Sequence, residues 1–170
     1  SAPLTVGADG IRSLVARAVD APVIRTARSA GSAFLYGYWD DLAVDGYEWL
    51  YAPGSSAGMI PTNDGQTGVF VGTAPAQMKA ARRAGSAQDA VSTLLATVSP
   101  AAAERVSAAR APQHLRGFAG VPGYVRQSWG PGWALVGDAG YFEDPLSTHG
   151  ITDALRDAEL LAGAVGAFHG

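Results

Sequence analysis

A chain of 170 residues can bury a real core, and 48% hydrophobic against 16% charged content places it with globular rather than disordered sequences. A net charge of −3, with the arginines scattered, offers no basic track for phosphate backbones and excludes nucleic acid as an expected partner. The lack of cysteine removes disulfides, thiolate catalysis and Cys-based metal sites and suits a reducing cytoplasm. No apolar run approaches the roughly 20 residues of a membrane span, and no signal peptide is expected.

The chain opens with a predicted strand at Leu4, Thr5 and Val6. Gly7 and Gly10 break it, and Ile11, Leu14, Val15, Ala18 and Val19 then recur at helical spacing until Asp20 and Pro22. Residues 32–73 predict an antiparallel sheet, with aromatic and β-branched stretches separated by "VDGY", "PGSS" and "NDGQ"; Asp64-Gly65 marks a hairpin. Tyr36, Tyr38, Trp39, Tyr47, Trp49 and Tyr51 crowd into this segment. They read either as sheet packing or as the lining of a pocket for a flat apolar ligand. Tyr36, Trp49, Ile60 and Pro61 are the candidate pocket residues.

After Pro75 the period changes. Lys79 falls in a polar linker, Ala90, Val91, Leu94, Leu95 and Val98 share a helix face, and Ser99-Pro100 starts a second helix as N-cap and first helical residue. Strands return with "RGFAGVPGYVRQSWGPGW", where Pro131-Gly132 is a turn. "WALVGDA" then predicts a short strand, apolar enough to be covered on both faces. This mixture of strands and helices argues for an α/β or α+β fold.

Asp138 stands at the carboxyl end of that last strand, where open α/β sheets bind ligands. Gly137 lets the chain turn, and Pro145 and Gly150 shape a loop. From Ile151 to Phe168 the set Ile151, Leu155, Ala158, Leu161, Ala162, Val165 and Phe168 defines one apolar helix face. The start of that helix presents unpaired amides and partial positive charge, suited to a pyrophosphate or to charge developing on a ring carbonyl. Asp153 and Asp157 suit the same dipole.

The stretch "VGDAGYFEDPLSTHGITDALRDAELLA" resembles the second FAD-contacting motif of the class A flavoprotein monooxygenases, the family with the aromatic hydroxylase fold. Gly137, Asp138, Ala139, Pro145, Gly150, Asp157, Ala158, Leu161 and Ala162 carry the match. "VGADGIRSLVAR" resembles the family's other internal fingerprint through Asp9, Gly10, Ser13, Val15 and Arg17, with one extra residue before the arginine. The motifs stand in family order, with a sheet-rich segment between them where the family keeps its substrate domain. The resemblance implies a partial FAD-binding domain from residues 1–30 and 117–170, with an inserted antiparallel substrate sheet at 31–116. It implies cofactor contacts from Asp9, Gly10, Gly137, Asp138, Pro145, Thr148, His149, Gly150 and Ile151. In that reading Asp138 bonds the FAD ribose, Pro145 and Gly150 lie against pyrophosphate and flavin, and Asp9 supports the pyrophosphate from behind. The implied chemistry is monooxygenase-type hydroxylation or epoxidation of an apolar or aromatic small molecule, with NADPH or NADH as electron donor. A flavin-dependent reductase, a halogenase and a non-catalytic binding module are the alternatives.

The sequence also departs from the family. Thr148 stands where glycine is usual, Thr152 replaces a common asparagine, and Tyr141 stands near a frequent histidine. "WLYAP" and "GMIPTND" only echo the tryptophan-halogenase signature, and Lys79 is a poor halogenating lysine. No Gly-x-Gly-x-x-Gly follows an early strand, so the chain resembles the carboxyl-terminal part of a larger flavoprotein, whose nucleotide-binding segment would lie elsewhere or on another chain. On that view the strands at Leu4–Val6 and Ala134–Val136 flank a gap, and FAD affinity is weak. His114 and His169 lack metal spacing, Ser13 lacks a nucleophile-elbow context, and no catalytic side chain is assigned.

Overall fold

The computed structural model of the chain describes residues 2–29 and 31–169, the side chains of 168 and 169 excepted. In chain order it contains β1 (Thr5–Gly7), α1 (Leu14–Ala18), β2 (Val23–Thr26), β3 (Ala33–Trp39), β4 (Glu48–Ala52), β5 (Ser55–Pro61) and β6 (Thr67–Thr73). There follow α2 (Pro75–Ala84), α3 (Ala87–Val98), α4 (Pro100–Ala108), β7 (Arg116–Phe118), β8 (Tyr124–Arg126), β9 (Trp129–Gly130), β10 (Trp133–Leu135), β11 (Tyr141–Phe142) and α5 (Gly150–His169). The chain divides into two units, Ser32–Gly120 and the pair Ser1–Gly31 with Val121–Gly170. Residues 117–120, expected with the outer segments, fall in the central unit because β7 pairs with β3.

In the central unit five antiparallel strands run in the order β4-β5-β6-β3-β7. Period-two alternation sends Ala33, Leu35, Ala57, Met59, Val69 and Val71 to one face. There they pack with Met78 of α2, Val91, Leu94 and Leu95 of α3, and Val106 of α4. Trp39 belongs to this core at 2% exposure, so it packs and cannot line a ligand face. The Asp64-Gly65 hairpin forms as expected, with Asp64 at φ 58°. A capping box at Ser86 and Asp89 starts α3, and Ser99 caps α4 through the Ala102 amide. Lys79 lies on the exposed side of α2 rather than in a linker: Pro75 at the first helical position and Met78 against the core make this stretch a helix.

The outer unit holds two small sheets, β1-β10-β9 and β11-β8-β2. β1 and β10 pair directly and in parallel, Val6 opposite Ala134, so no gap separates them; the open edge lies on the far side of β1. The helix expected from Ile11 begins only at Leu14. Residues 10–13 form a turn closed by the Ser13 amide on the Gly10 carbonyl, and Gly10 sits at φ 75°. Ser13 then accepts from the Ala16 amide, and the Asp9 carboxylate accepts from the Leu14 and Val15 amides at 2.6 and 3.2 Å. The buried apolar residues here are few: Ala16, Ala21, Leu135 and Ala139 form one cluster with Val15, Val19 and Trp133 packed against it, and Ala134 and Phe142 are buried beside them in sequence.

Candidate flavin site

β10 ends at Leu135, one residue earlier than expected, and Val136 is only half-buried. Gly137–Ala139 makes a single 3-10 turn. Gly137 is at φ 57°, and a Cβ there would stand 2.9 Å from the Ala154 Cβ of α5. Only glycine permits both the turn and the close approach of the helix. The Gly137 amide donates to the Asp157 carboxylate at 3.1 Å, tying the turn to α5. From β8, the Tyr124 hydroxyl donates to the Asp138 carbonyl, and the Arg126 guanidinium lies 4.7 Å from the centre of the Tyr124 ring. Burial pushes the Tyr124 hydroxyl pKa up, which keeps it a donor.

This scaffold sets the Asp138 side chain beside the start of α5: its Oδ1 lies 3.9 Å from where a Cβ on Gly150 would be. A cavity of about 710 Å³ opens there, lined by Ala8, Gly10, Gly137, Asp138, Pro145, Thr148, Gly150 and Ile151 among others. Of the residues expected at a cofactor, Asp9 and His149 do not line it. Asp9 spends its acceptors on α1, and its pKa is lowered by the Ser13 hydroxyl and by the Val15 and Leu14 amides. His149 is exposed, and its carbonyl accepts the Asp153 amide at the mouth of α5.

Four carboxylates line the cavity, and three are already engaged. Glu143 accepts from Tyr141 and Ser147, Asp153 pairs with Arg156, and Asp144 caps the 3-10 turn Pro145–Ser147 through the Leu146 amide. Among the described residues, no protein donor meets the Asp138 carboxylate, and burial raises its pKa. It is the free acceptor of the site. Among the described residues no lysine or arginine lines the cavity, so its walls favour a neutral hydroxylated or aromatic group over a phosphate. After the Pro145–Ser147 turn, Thr148 is left-handed at φ 60°, in the place where the resembling motif has glycine.

The helix face expected to be buried is largely open. Ile151 is 81% and Leu155 68% exposed, while Leu161 and Val165 are half-buried. Phe168, the last member of the set, has its side chain outside the described residues. Sequence reasoning missed Tyr124, which reaches the turn from 14 residues upstream with no local pattern to mark it, and placed Asp157 in the motif and at the helix dipole without its bond to the Gly137 amide. Among the described residues no helix is long and apolar enough to cross a membrane, and no His/Asp/Glu cluster could hold a metal ion.

No protein-family model matches the sequence, and no curated protein matches it either. Solved structures do. The flavin-dependent brominase Bmp2 superposes with a TM-score of 0.79 at 18% identity, covering 91% of this chain and 40% of its own. PqsL, described as a probable FAD-dependent monooxygenase from Pseudomonas aeruginosa, gives 0.75 at 22% identity, covering 96% and 46%. The flavin-dependent halogenase CmlS gives 0.69 at 20%, covering 89% and 28%. The chain therefore has the mixed α/β fold of the FAD-dependent monooxygenases and halogenases. It spans less than half the length of each of these proteins.

Proposed function

We propose that this chain supplies the riboflavin side of an FAD site and the substrate sheet of a flavin-dependent oxidoreductase. The reaction is a monooxygenase-type hydroxylation or epoxidation of an aromatic or apolar small molecule, with NADPH or NADH as electron donor. The carrying observation is the Asp138 carboxylate, unpartnered among the described residues, beside the first residue of α5 in a cavity that no described lysine or arginine lines. Asp138 would accept from a ribityl hydroxyl. The amides that open α5, which have no intrahelical acceptor, would face the carbonyl edge of the flavin ring, and Pro145 and Thr148 would set the ring's approach. FAD would bring the redox chemistry; these side chains bind, orient and supply fixed dipoles. Tyr124, Asp157 and Asp9 hold the turn and α1 in place.

The cation-free cavity supports a division of the cofactor, with the diphosphate and adenosine held by a segment or partner chain beyond these residues. The open edge of β1 and the large unmatched share of the solved relatives favour the same reading. The chain alone should therefore bind riboflavin nearly as well as FAD, both weakly. Titration followed by flavin fluorescence tests this, and Asp138→Ala should weaken both ligands about tenfold or more. Unchanged affinity in that variant removes the ribityl role. Strong preference for FAD over riboflavin removes the division of the site.

A further inference from the structure

The face of the central sheet opposite its helices carries a pattern that the flavin reading does not use. The strand register aligns Trp49, Gly58, Phe70, Tyr36 and Arg116 in one row across all five strands. The next row is Tyr51, Ser56, Gly72, Phe34 and Phe118; a third holds Ile60, Gly68 and Tyr38. The glycines are the floor: a Cβ on Gly58 would stand 2.4 Å from the Phe70 ring, and one on Gly72 would stand 2.4 Å from that of Phe34. These rings can therefore lie down on the sheet. Phe70 meets Trp49 at 5.6 Å and Phe34 at 6.2 Å between ring centres, both tilted. Trp49, Tyr38 and Tyr51 remain 41, 47 and 65% exposed, so the apolar floor is open.

Among the outward positions of the five strands, Arg116 is the one charged side chain within the described residues. A Cβ on its neighbour Gly117 would touch Leu35 of the core, which puts Arg116 on the aromatic side. Adjacent strands stand about 4.8 Å apart, so Arg116 is one strand from Tyr36 and two from Phe70. A cleft of about 460 Å³ adjoins it, lined also by Tyr38, Asp40, Gln66, Arg110 and His114. Arg110 is taken up by Asp40 at 3.1 Å and Asp41 at 3.6 Å, whereas among the described residues no carboxylate pairs with Arg116.

We propose that this face binds a planar aromatic ligand carrying an anionic group, the ring over Phe70 and Tyr36 and the anion at Arg116. The inference rests on the reading of this sheet as the substrate face and adds charge selection to it. Pro61, at the exposed end of β5, lies outside the rows and takes no part.

Amide-resolved NMR of the whole chain, titrated with naphthoate and with its neutral counterpart naphthamide, tests the assignment. Naphthoate should bind about tenfold tighter than naphthamide and shift amides around Tyr36, Phe70 and Gly117. Arg116→Gln should bring naphthoate down to the affinity of naphthamide and leave naphthamide unchanged. Equal affinities in the parent chain, or a preference that survives Arg116→Gln, would overturn the anion assignment while the aromatic floor stands. If neither probe shifts the sheet, the substrate-face reading fails as well. Flavin titration of Arg116→Gln reports separately on the cofactor reading and should match the parent.

Discussion

At the residue scale, Asp138 carries opposing demands. Its carboxylate is placed to accept a ligand hydroxyl, and partial burial without a protein donor raises its pKa. Between the unfolded and folded pKa values the folded chain holds more protons, so this group's contribution to stability falls as pH rises through that window and stays low above it. Asp138→Asn should therefore melt somewhat above the parent at neutral pH, with the gap closing in acid, while flavin affinity drops. Thermal melts across pH, beside the flavin titration, check both arms. A variant that lost stability at neutral pH would mean the carboxylate has a protein partner. Thr148 is a second residue under tension: a β-branched side chain at φ 60° is strained. Thr148→Gly relieves the clash against glycine's greater unfolded entropy, so a gain of up to about 1 kcal/mol is expected in denaturant melts. The sequence made Asp138 and the Thr148 departure readable, because strand-end and turn chemistry are local. It did not reveal that the Asp9 carboxylate is spent on the amides of α1, since a hydrogen bond to a neighbouring helix leaves no mark on residue type.

At the scale of elements, the junction of the Gly137 turn with α5 decides whether the site exists. The helix is held there by Ala154 against Gly137 and by the Asp157 carboxylate on the Gly137 amide. Gly137→Ala meets both the left-handed φ and the 2.9 Å approach, so α5 must move outward. A loss of about 2–3 kcal/mol in chemical denaturation is expected, together with loss of flavin binding. Leu135→Val, which trims a buried strand residue without touching the turn, should cost stability and spare relative flavin affinity. The period of 3.6 in residues 151–168 was readable and α5 forms. Which side of it is covered was not, because a stripe of leucine and isoleucine announces burial without naming the surface that buries it. The β1–β10 pairing was missed for a related reason: which strands are neighbours in a parallel sheet is set by long-range packing, not by either strand's own sequence.

At the scale of the molecule, the two units differ in how much holds them. The central unit closes Leu35, Met59, Val69, Val71, Val91 and Leu95 at 2% exposure or less. The outer unit buries Leu135, Phe142 and a few alanines, and leaves Leu14, Ile24, Trp129, Ile151, Leu155 and Leu160 all more than 60% exposed. Burial on the order of 25 cal/mol per Å² of apolar surface makes that difference the main term in local stability. Amide hydrogen exchange should show it directly, with slow exchange in β5, β6 and α3 and fast exchange in β1, β10 and α5. Saturating flavin stabilises only the state that binds it, so protection should rise around 137–151 and stay flat in the central sheet. A naphthoate titration should do the reverse, protecting β3, β6 and β7 and leaving α5 unchanged. If each ligand instead protected both units alike, or if α5 exchanged as slowly as α3 with no ligand present, the assignment of cofactor and substrate to separate units of the chain would fail.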